Sequence, residues 1–267
     1  MTENSGGYQS DPFVAQLYDQ VTPYKIRPDI DFFVQAAKDA GSPVLEVGCG
    51  TGRVLLPTTR AGVTITGLDL SEYMLDVCRT ALEKETKEVQ ERVTLVQGDM
   101  RDFDLGVTFS LATIPFRPFQ HLLTVEEQIS CLATIHQHLK PGGRLILDLF
   151  NPSLIHLTRD NIGEEVDVEP EFTTPDGVKV SRCNKTVSRD LFNQINEVEL
   201  IYYLTHPDGR EERLVHAFSM RYLFRFEAEH LLTRCGFDVL AVYADYQKNP
   251  FGSTYPGDLI LVAQVMG

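Results

Sequence analysis

A short apolar strand that runs straight into a glycine-rich turn constrains this chain more than any other feature. VLEV at 44–47 opens into GCGTGR at 48–53, with Gly48, Gly50 and Gly52 at every second position. Side chains at these places would obstruct anything that approaches the backbone closely. Beyond the carboxyl end of a strand in an open parallel sheet, such a turn lets a cofactor contact the main chain. The chain then repeats the alternation. β-Branched runs at 64–70, 93–97, 108–114 and 145–149 read as strands, and amphipathic stretches at 53–61, 72–84 and 125–139 read as helices. In the last helix Ile129, Leu132, Ile135 and Leu139 share a face, and PGG at 141–143 ends it. Strands that are apolar on both faces and alternate with helices predict a parallel sheet covered on two sides.

After Asn151 the pattern changes. Segments 174–187 and 191–205 alternate as strands do, and HPDG at 206–209 joins the second to 210–222 as a hairpin. Ile195, Val198, Leu200 and Tyr202 alternate only approximately with polar residues, which suits a half-covered antiparallel sheet. A helix at 226–235 ends at Gly236, and apolar runs at 237–243 and 259–265 return to the first sheet. The expected fold is α/β, a doubly wound, mainly parallel, seven-stranded Rossmann-like sheet with an inserted antiparallel β-sheet. Its divisions are a core at 1–162, an insertion at 163–222 and a return to the core at 223–267.

Composition narrows the function. The 267 residues carry a formal charge of -14 and no cluster of Lys and Arg, which disfavours a nucleic-acid partner. No stretch approaches the ~18 consecutive apolar residues of a membrane span, so no membrane partner is expected. The polar start, MTENSGGYQSDP, lacks the basic flank and apolar stretch of a secretory signal. Five scattered cysteines without CxxC spacing suit a reducing compartment and argue against structural zinc, so the expected location is cytoplasmic and no metal is expected.

The turn differs from a dinucleotide loop. GxGxxG places its third glycine where Arg53 stands here, and Glu46 is a poor neighbour for a pyrophosphate but a good one for a cation. A carboxylate at the end of the next strand, Asp69, can accept two hydrogen bonds from a vicinal diol. EVGCGTG resembles the cofactor loop of class I S-adenosylmethionine-dependent methyltransferases. GLDLSEYML at 67–75, QGDMRDF at 97–103 and LKPGGRLILDLFNP at 139–152 resemble that family's later signatures, in order and spacing.

The resemblance implies S-adenosyl-L-methionine as cofactor. Its loop contacts are Glu46, Gly48, Cys49, Gly50, Thr51 and Gly52. Asp69 then holds the ribose, with Leu70 and Met74 near the adenine, Asp99 on its amino group and Met100 on its ring; Ile114, at the end of the fourth strand, completes the set. Met74 and Met100 serve equally as core filler, and Asp69 and Asp99 as turn acids. Ser71 is the better cap for the helix that starts at Glu72.

FVAQLYDQVTPYK at 13–25 resembles the helix of glycine and amino-sugar N-methyltransferases that folds over the cofactor, with Tyr18 and Tyr24 matching by position. RPFQHL at 117–122 resembles a His-Leu pair of the sugar enzymes and makes His121 the candidate base or substrate-orienting residue. Arg117, Pro115 and Pro118 depart from the small polar residues of those enzymes, which leaves the acceptor open. Arg117, Arg221 and Tyr222 are the remaining candidates for acceptor binding, the arginines equally serving as surface ion-pair members. His136 and His138 read as solvated or last-turn residues.

The expected activity is methyl transfer to nitrogen or oxygen of a small-molecule acceptor by direct displacement. A nicotinamide-dependent oxidoreductase and a non-catalytic cofactor-binding partner protein are the alternatives. Oligomeric state is open, a homodimer included.

Overall fold

The computed structural model describes Tyr8 and residues 12–266. Its helices are α1 (Pro12–Tyr18), α2 (Thr22–Lys25), α3 (Ile30–Ala40), α4 (Leu55–Arg60), α5 (Glu72–Leu82), α6 (Lys87–Gln90), α7 (Val125–Gln137), α8 (Leu154–Leu157) and α9 (Arg225–Arg234). The main sheet contains β1 (Val44–Val47), β2 (Ile65–Asp69), β3 (Val93–Gln97), β4 (Phe109–Ile114) and β5 (Leu139–Leu149). The second sheet contains β6 (Glu165–Val166), β7 (Phe172–Thr173), β8 (Lys179–Asp190), β9 (Ile195–Thr205) and β10 (Glu211–Arg221). The chain then returns to the main sheet with β11 (Phe237–Tyr243) and β12 (Leu259–Val265).

The main sheet has seven strands in the order β11-β12-β5-β4-β1-β2-β3. β1 to β5 run parallel, and β12 is antiparallel to both β5 and β11. Every residue of β1 is buried, as a strand covered on both faces requires. Leu45 and Val47 pack toward Leu132, Ile135 and Leu232 on one face, whereas Val44 packs with Phe33, Leu55 and Leu75 on the other. Strand order reverses between β1 and β4, and the crevice above that reversal is where ligands bind in such sheets.

Helix starts are specified locally. The Ser71 hydroxyl accepts the Met74 N–H, as expected for the cap of α5. Thr124 and Glu127 form a reciprocal capping box on α7. α7 ends at Gln137, and β5 begins already at Leu139, passing through PGG with Gly142 at φ 72°. The glycines therefore bend the start of a strand as well as following a helix.

The inserted sheet has the order β10-β9-β8-β6, with β7 also pairing β8. The expected strand start at Leu191 is corrected to Ile195. Asp190 Oδ1 accepts the N–H groups of Phe192 and Asn193, turning the chain and leaving Leu191 and Phe192 exposed. Val180, Leu200, Tyr202 and Phe218 of this sheet pack against Leu17 and Val21 from the N-terminal helices. Sequence periodicity did not mark α3, whose Phe32, Phe33 and Ala37 are buried in the main core.

Candidate active site

A cavity of about 760 Å³ opens beyond the carboxyl ends of β1, β2, β3 and β4, within the ~300–1,000 Å³ of small-molecule sites. Its wall includes Glu46, Gly48, Cys49, Gly50, Thr51, Asp69, Leu70, Met74, Asp99, Met100, Tyr18 and His121, all named from sequence.

The three glycines of the turn have φ of 72°, 55° and 86°, the left-handed region that glycine enters most easily. A Cβ on Gly48 would lie 2.6 Å from Pro118 Cγ, and one on Gly52 would lie 2.6 Å from Cys78 Sγ. Gly50 has no heavy atom within 4 Å of that position and borders the cavity. Gly50 borders open space, whereas Gly48, also in the wall, and Gly52, outside it, lie close against neighbouring side chains.

One buried carboxylate, Glu46, and one half-buried, Asp69, define the polar floor. Glu46 is 1% exposed, and its Oε2 has no hydrogen-bond partner among the described residues. Burial pushes its pKa up to about 8 against the opposing charge of Arg53. Asp69 Oδ2 accepts the Gly50 N–H at 2.7 Å and Oδ1 accepts the Ser71 N–H at 2.8 Å, which ties β2 to the glycine turn. Burial raises the Asp69 pKa while those two N–H groups oppose the rise.

Asp99 is engaged by Arg101, which also pairs with Glu127. Burial works against the Asp99 anion, but the Arg101 hydrogen bonds and charge outweigh it and hold the carboxyl below its ordinary value. Cys49 packs against Gly67, and burial raises its thiol pKa well above the ordinary range, so it is a poor nucleophile. The Thr51 hydroxyl donates to Asp19 Oδ1 at 2.7 Å, fastening the turn to the segment after α1.

Phe116 and Arg117 form the least regular part of the wall. Both are non-glycine residues in the left-handed region, at φ 62° and 75°, a conformation that costs ~1–3 kcal/mol each. The Phe116 N–H donates to Asp148 Oδ2, and its ring lies 5.0 Å from the Arg27 guanidinium and 5.2 Å from that of Arg53. The bend puts Phe116 in the cavity wall and turns Arg117 away, 3.6 Å from Asp258 and over the Phe150 ring.

Arg117, a candidate for acceptor binding, therefore lies outside the cavity wall. Arg221 and Tyr222 also lie outside it. Arg221 donates to the Leu123 carbonyl and pairs with Glu227, and Tyr222 is buried beside Phe224, so both groups are spent on joining the sheets. Ile114 is wholly buried in the main core. Tyr24 lies behind the wall, 4.8 Å from both the Tyr18 and Phe116 rings.

His121 is at the far side of the cavity, on a short 3-10 turn at Pro118–His121. Its Nδ1 lies 3.2 Å from the Ser219 carbonyl oxygen. A carbonyl only accepts, so Nδ1 carries the proton and Nε2 the lone pair. Burial lowers the His121 pKa, partly countered by that hydrogen bond, and keeps the ring neutral. His138, expected as a solvated or last-turn residue, stands at the C-terminal end of α7 and is buried, its Nε2 accepting the Leu105 N–H. Arg53 was legible only as an interrupted glycine motif. In the fold it lines the cavity and grips both oxygens of Asp29 at 2.7 and 2.6 Å.

Residues 44–143 match the family model of a methyltransferase domain. The glycine turn and five strands of the main sheet lie in or border this matched segment, which takes in less than half of the chain. The chain is 38% identical over 120 residues to dTDP-3-amino-3,4,6-trideoxy-alpha-D-glucopyranose N,N-dimethyltransferase of Streptomyces venezuelae, a match that takes in 45% of this chain and 47% of that enzyme, about half of either. Over whole chains, it superposes on the CcbJ methyltransferase of Streptomyces caelestis with a TM-score of 0.77 at 22% identity, covering 100% of both. S-Adenosylmethionine-bound CalS10, an amino pentose methyltransferase of Micromonospora echinaspora, superposes with a TM-score of 0.68 at 25% identity, covering 94% of this chain and 97% of that one. The cavity fits S-adenosylmethionine: it offers an unpartnered buried carboxylate oxygen for a cationic group and open space beside Gly50. Among the described residues no helix is long and apolar enough to cross a membrane.

Proposed function

We propose that this protein is an N-methyltransferase that moves a methyl group from S-adenosylmethionine to the amine of a small polar molecule. The observation that carries the reading is His121, a half-buried neutral imidazole in the cavity wall whose Nδ1 proton is committed to Ser219, leaving its Nε2 lone pair for the acceptor. S-Adenosylmethionine, when bound, supplies an electrophilic methyl on a sulfonium. An ammonium must lose a proton before it can attack such a centre, and His121 Nε2 accepts or orients that proton.

Glu46 holds the ammonium of the cofactor's amino-acid end, and Asp69 its ribose hydroxyls. Phe116 and Tyr18 close the wall around the transfer point and exclude water. Acids outnumber bases around the cavity: Glu46, Asp69, Asp99 and Glu127 against Arg53 and Arg101, both of which are paired to carboxylates. That balance favours a cationic donor and an amine acceptor over an anionic one. The relatives whose printed names specify aminated sugars support nitrogen over oxygen. The reading extends to a cytoplasmic enzyme, in keeping with five free cysteines.

The test is methyl transfer from labelled S-adenosylmethionine to a panel of small hydroxylated amines, with His121→Ala alongside. His121→Ala is expected to lower kcat by ~10²–10⁴-fold while cofactor affinity is kept. Full turnover by the variant removes His121 from the chemistry, and transfer only to alcohols removes the nitrogen assignment.

A further inference from the structure

His216, on β10, is wholly buried, and neither of its ring nitrogens has a hydrogen-bond partner among the described residues. An unmade buried hydrogen bond costs ~1–3 kcal/mol, and an apolar side chain would avoid that cost on a strand face it shares with Leu214 and Phe218. The site therefore carries a polar group that the fold itself does not use.

Its neighbours show where that group could act. The Tyr8 ring covers it at 4.4 Å, and Phe218 lies 5.1 Å away. Tyr8 in turn lines the cavity and lies 5.7 Å from His121, while Phe218 packs on His121 at 5.3 Å. His216 thus stands one ring behind the cavity wall, at the end that holds His121. Burial, with the Arg182 charge nearby, keeps its imidazole neutral.

A neutral imidazole offers one donor and one acceptor, the complement of a hydroxyl group. Among the described residues a carboxylate would find no free cation nearby, because Arg182 grips Glu169 and stacks on Tyr24 and Tyr202, and Arg53 is held by Asp29.

We propose that His216 is an acceptor-binding residue, reached when the Tyr8 ring turns aside, and that it hydrogen-bonds a hydroxyl group of an amine acceptor that bears no carboxylate. The proposal rests on the reading of the cavity as a methyl-transfer site. It assigns proton handling to His121 and acceptor selection to His216.

The experiment is calorimetric titration of the full chain, saturated with S-adenosylhomocysteine, with methyl α-D-glucosaminide as the hydroxylated amine and glycine as the carboxylate-bearing one. The glucosaminide is expected to bind and glycine not to. His216→Leu should weaken glucosaminide binding at least tenfold with an unchanged or higher Tm, and His216→Gln, which keeps a donor and an acceptor, should restore part of it. Equal glucosaminide affinity in wild type and His216→Leu overturns the proposal, as does tighter binding of glycine, or no glucosaminide binding to a protein that does bind S-adenosylhomocysteine. A fall in Tm for His216→Leu with unchanged probe binding makes the residue structural. Failure of S-adenosylhomocysteine itself to bind instead removes the underlying reading of the cavity.

Discussion

At the scale of single residues, the proposed cofactor site depends on Glu46, an acid that the fold buries. Its pKa rises from an ordinary 4.5 to about 8 because burial penalises the anion. The sign follows directly. Below pH 4.5 both folded and unfolded chains hold the proton and Glu46 costs nothing. Between 4.5 and about 8 only the unfolded chain ionises, so stability falls by up to ~1.4 kcal/mol per pH unit from this group. Above about 8 the penalty levels off. A bound ammonium reverses the preference and ionises Glu46, so cofactor binding at pH 7 should release a proton. Calorimetry in buffers of different ionisation enthalpy reads that proton directly, and it should vanish in Glu46→Gln together with most of the affinity. Buffer-independent heats in the wild type would mean that Glu46 is already ionised. The acid itself was legible in EVGCGTG; its missing partner was not, since that depends on packing by α3, α4 and the core rather than on neighbours in sequence.

At the scale of elements, alternate glycines in one turn carry different duties, and substitution should separate them. Gly52→Ala meets Cys78 Sγ at 2.6 Å and keeps a φ of 86°. Overpacking costs ~1–3 kcal/mol and the left-handed conformation ~1–2 kcal/mol more. Gly50→Ala meets nothing within 4 Å and pays only the conformational part, but its methyl enters the cavity. Urea denaturation should therefore show the larger loss for Gly52→Ala, and S-adenosylhomocysteine titration the larger loss for Gly50→Ala; the reverse order would undo the division. Spacing alone presents the three glycines as equivalent. The strands were readable because burial on both faces leaves an apolar run, as in β1, whereas the 191–194 turn was masked by Leu191 and Phe192, apolar residues that Asp190 turns into solvent.

At the scale of the whole molecule, the two sheets meet at the 3-10 turn that carries His121. Gln120 is wholly buried there, its Oε1 accepting the Phe150 N–H from the end of β5 and its Nε2 donating to the Arg221 carbonyl at the end of β10. Next to it, His121 Nδ1 donates to Ser219 of the same strand, and Arg221 returns a hydrogen bond to the Leu123 carbonyl. The base candidate, the strand proposed to select the acceptor and the core sheet are thus held by one short segment. Sequence placed His121 beside the fourth strand, but partners 98 and 101 residues away leave no periodic trace. The proposed cofactor contacts at Gly50 and Asp69 lie outside this segment, at the ends of β1 and β2. Gln120→Leu keeps the bulk of the side chain but leaves the Phe150 N–H and the Arg221 carbonyl unpaired, at ~1–3 kcal/mol each. The expected result is a lower denaturation midpoint and a large loss of kcat, as Nε2 of His121 moves relative to the acceptor, with S-adenosylhomocysteine affinity near that of the wild type. Loss of cofactor affinity in step with kcat would show that the turn supports the main sheet as a whole; an unchanged midpoint would show that neither hydrogen bond fastens the two sheets.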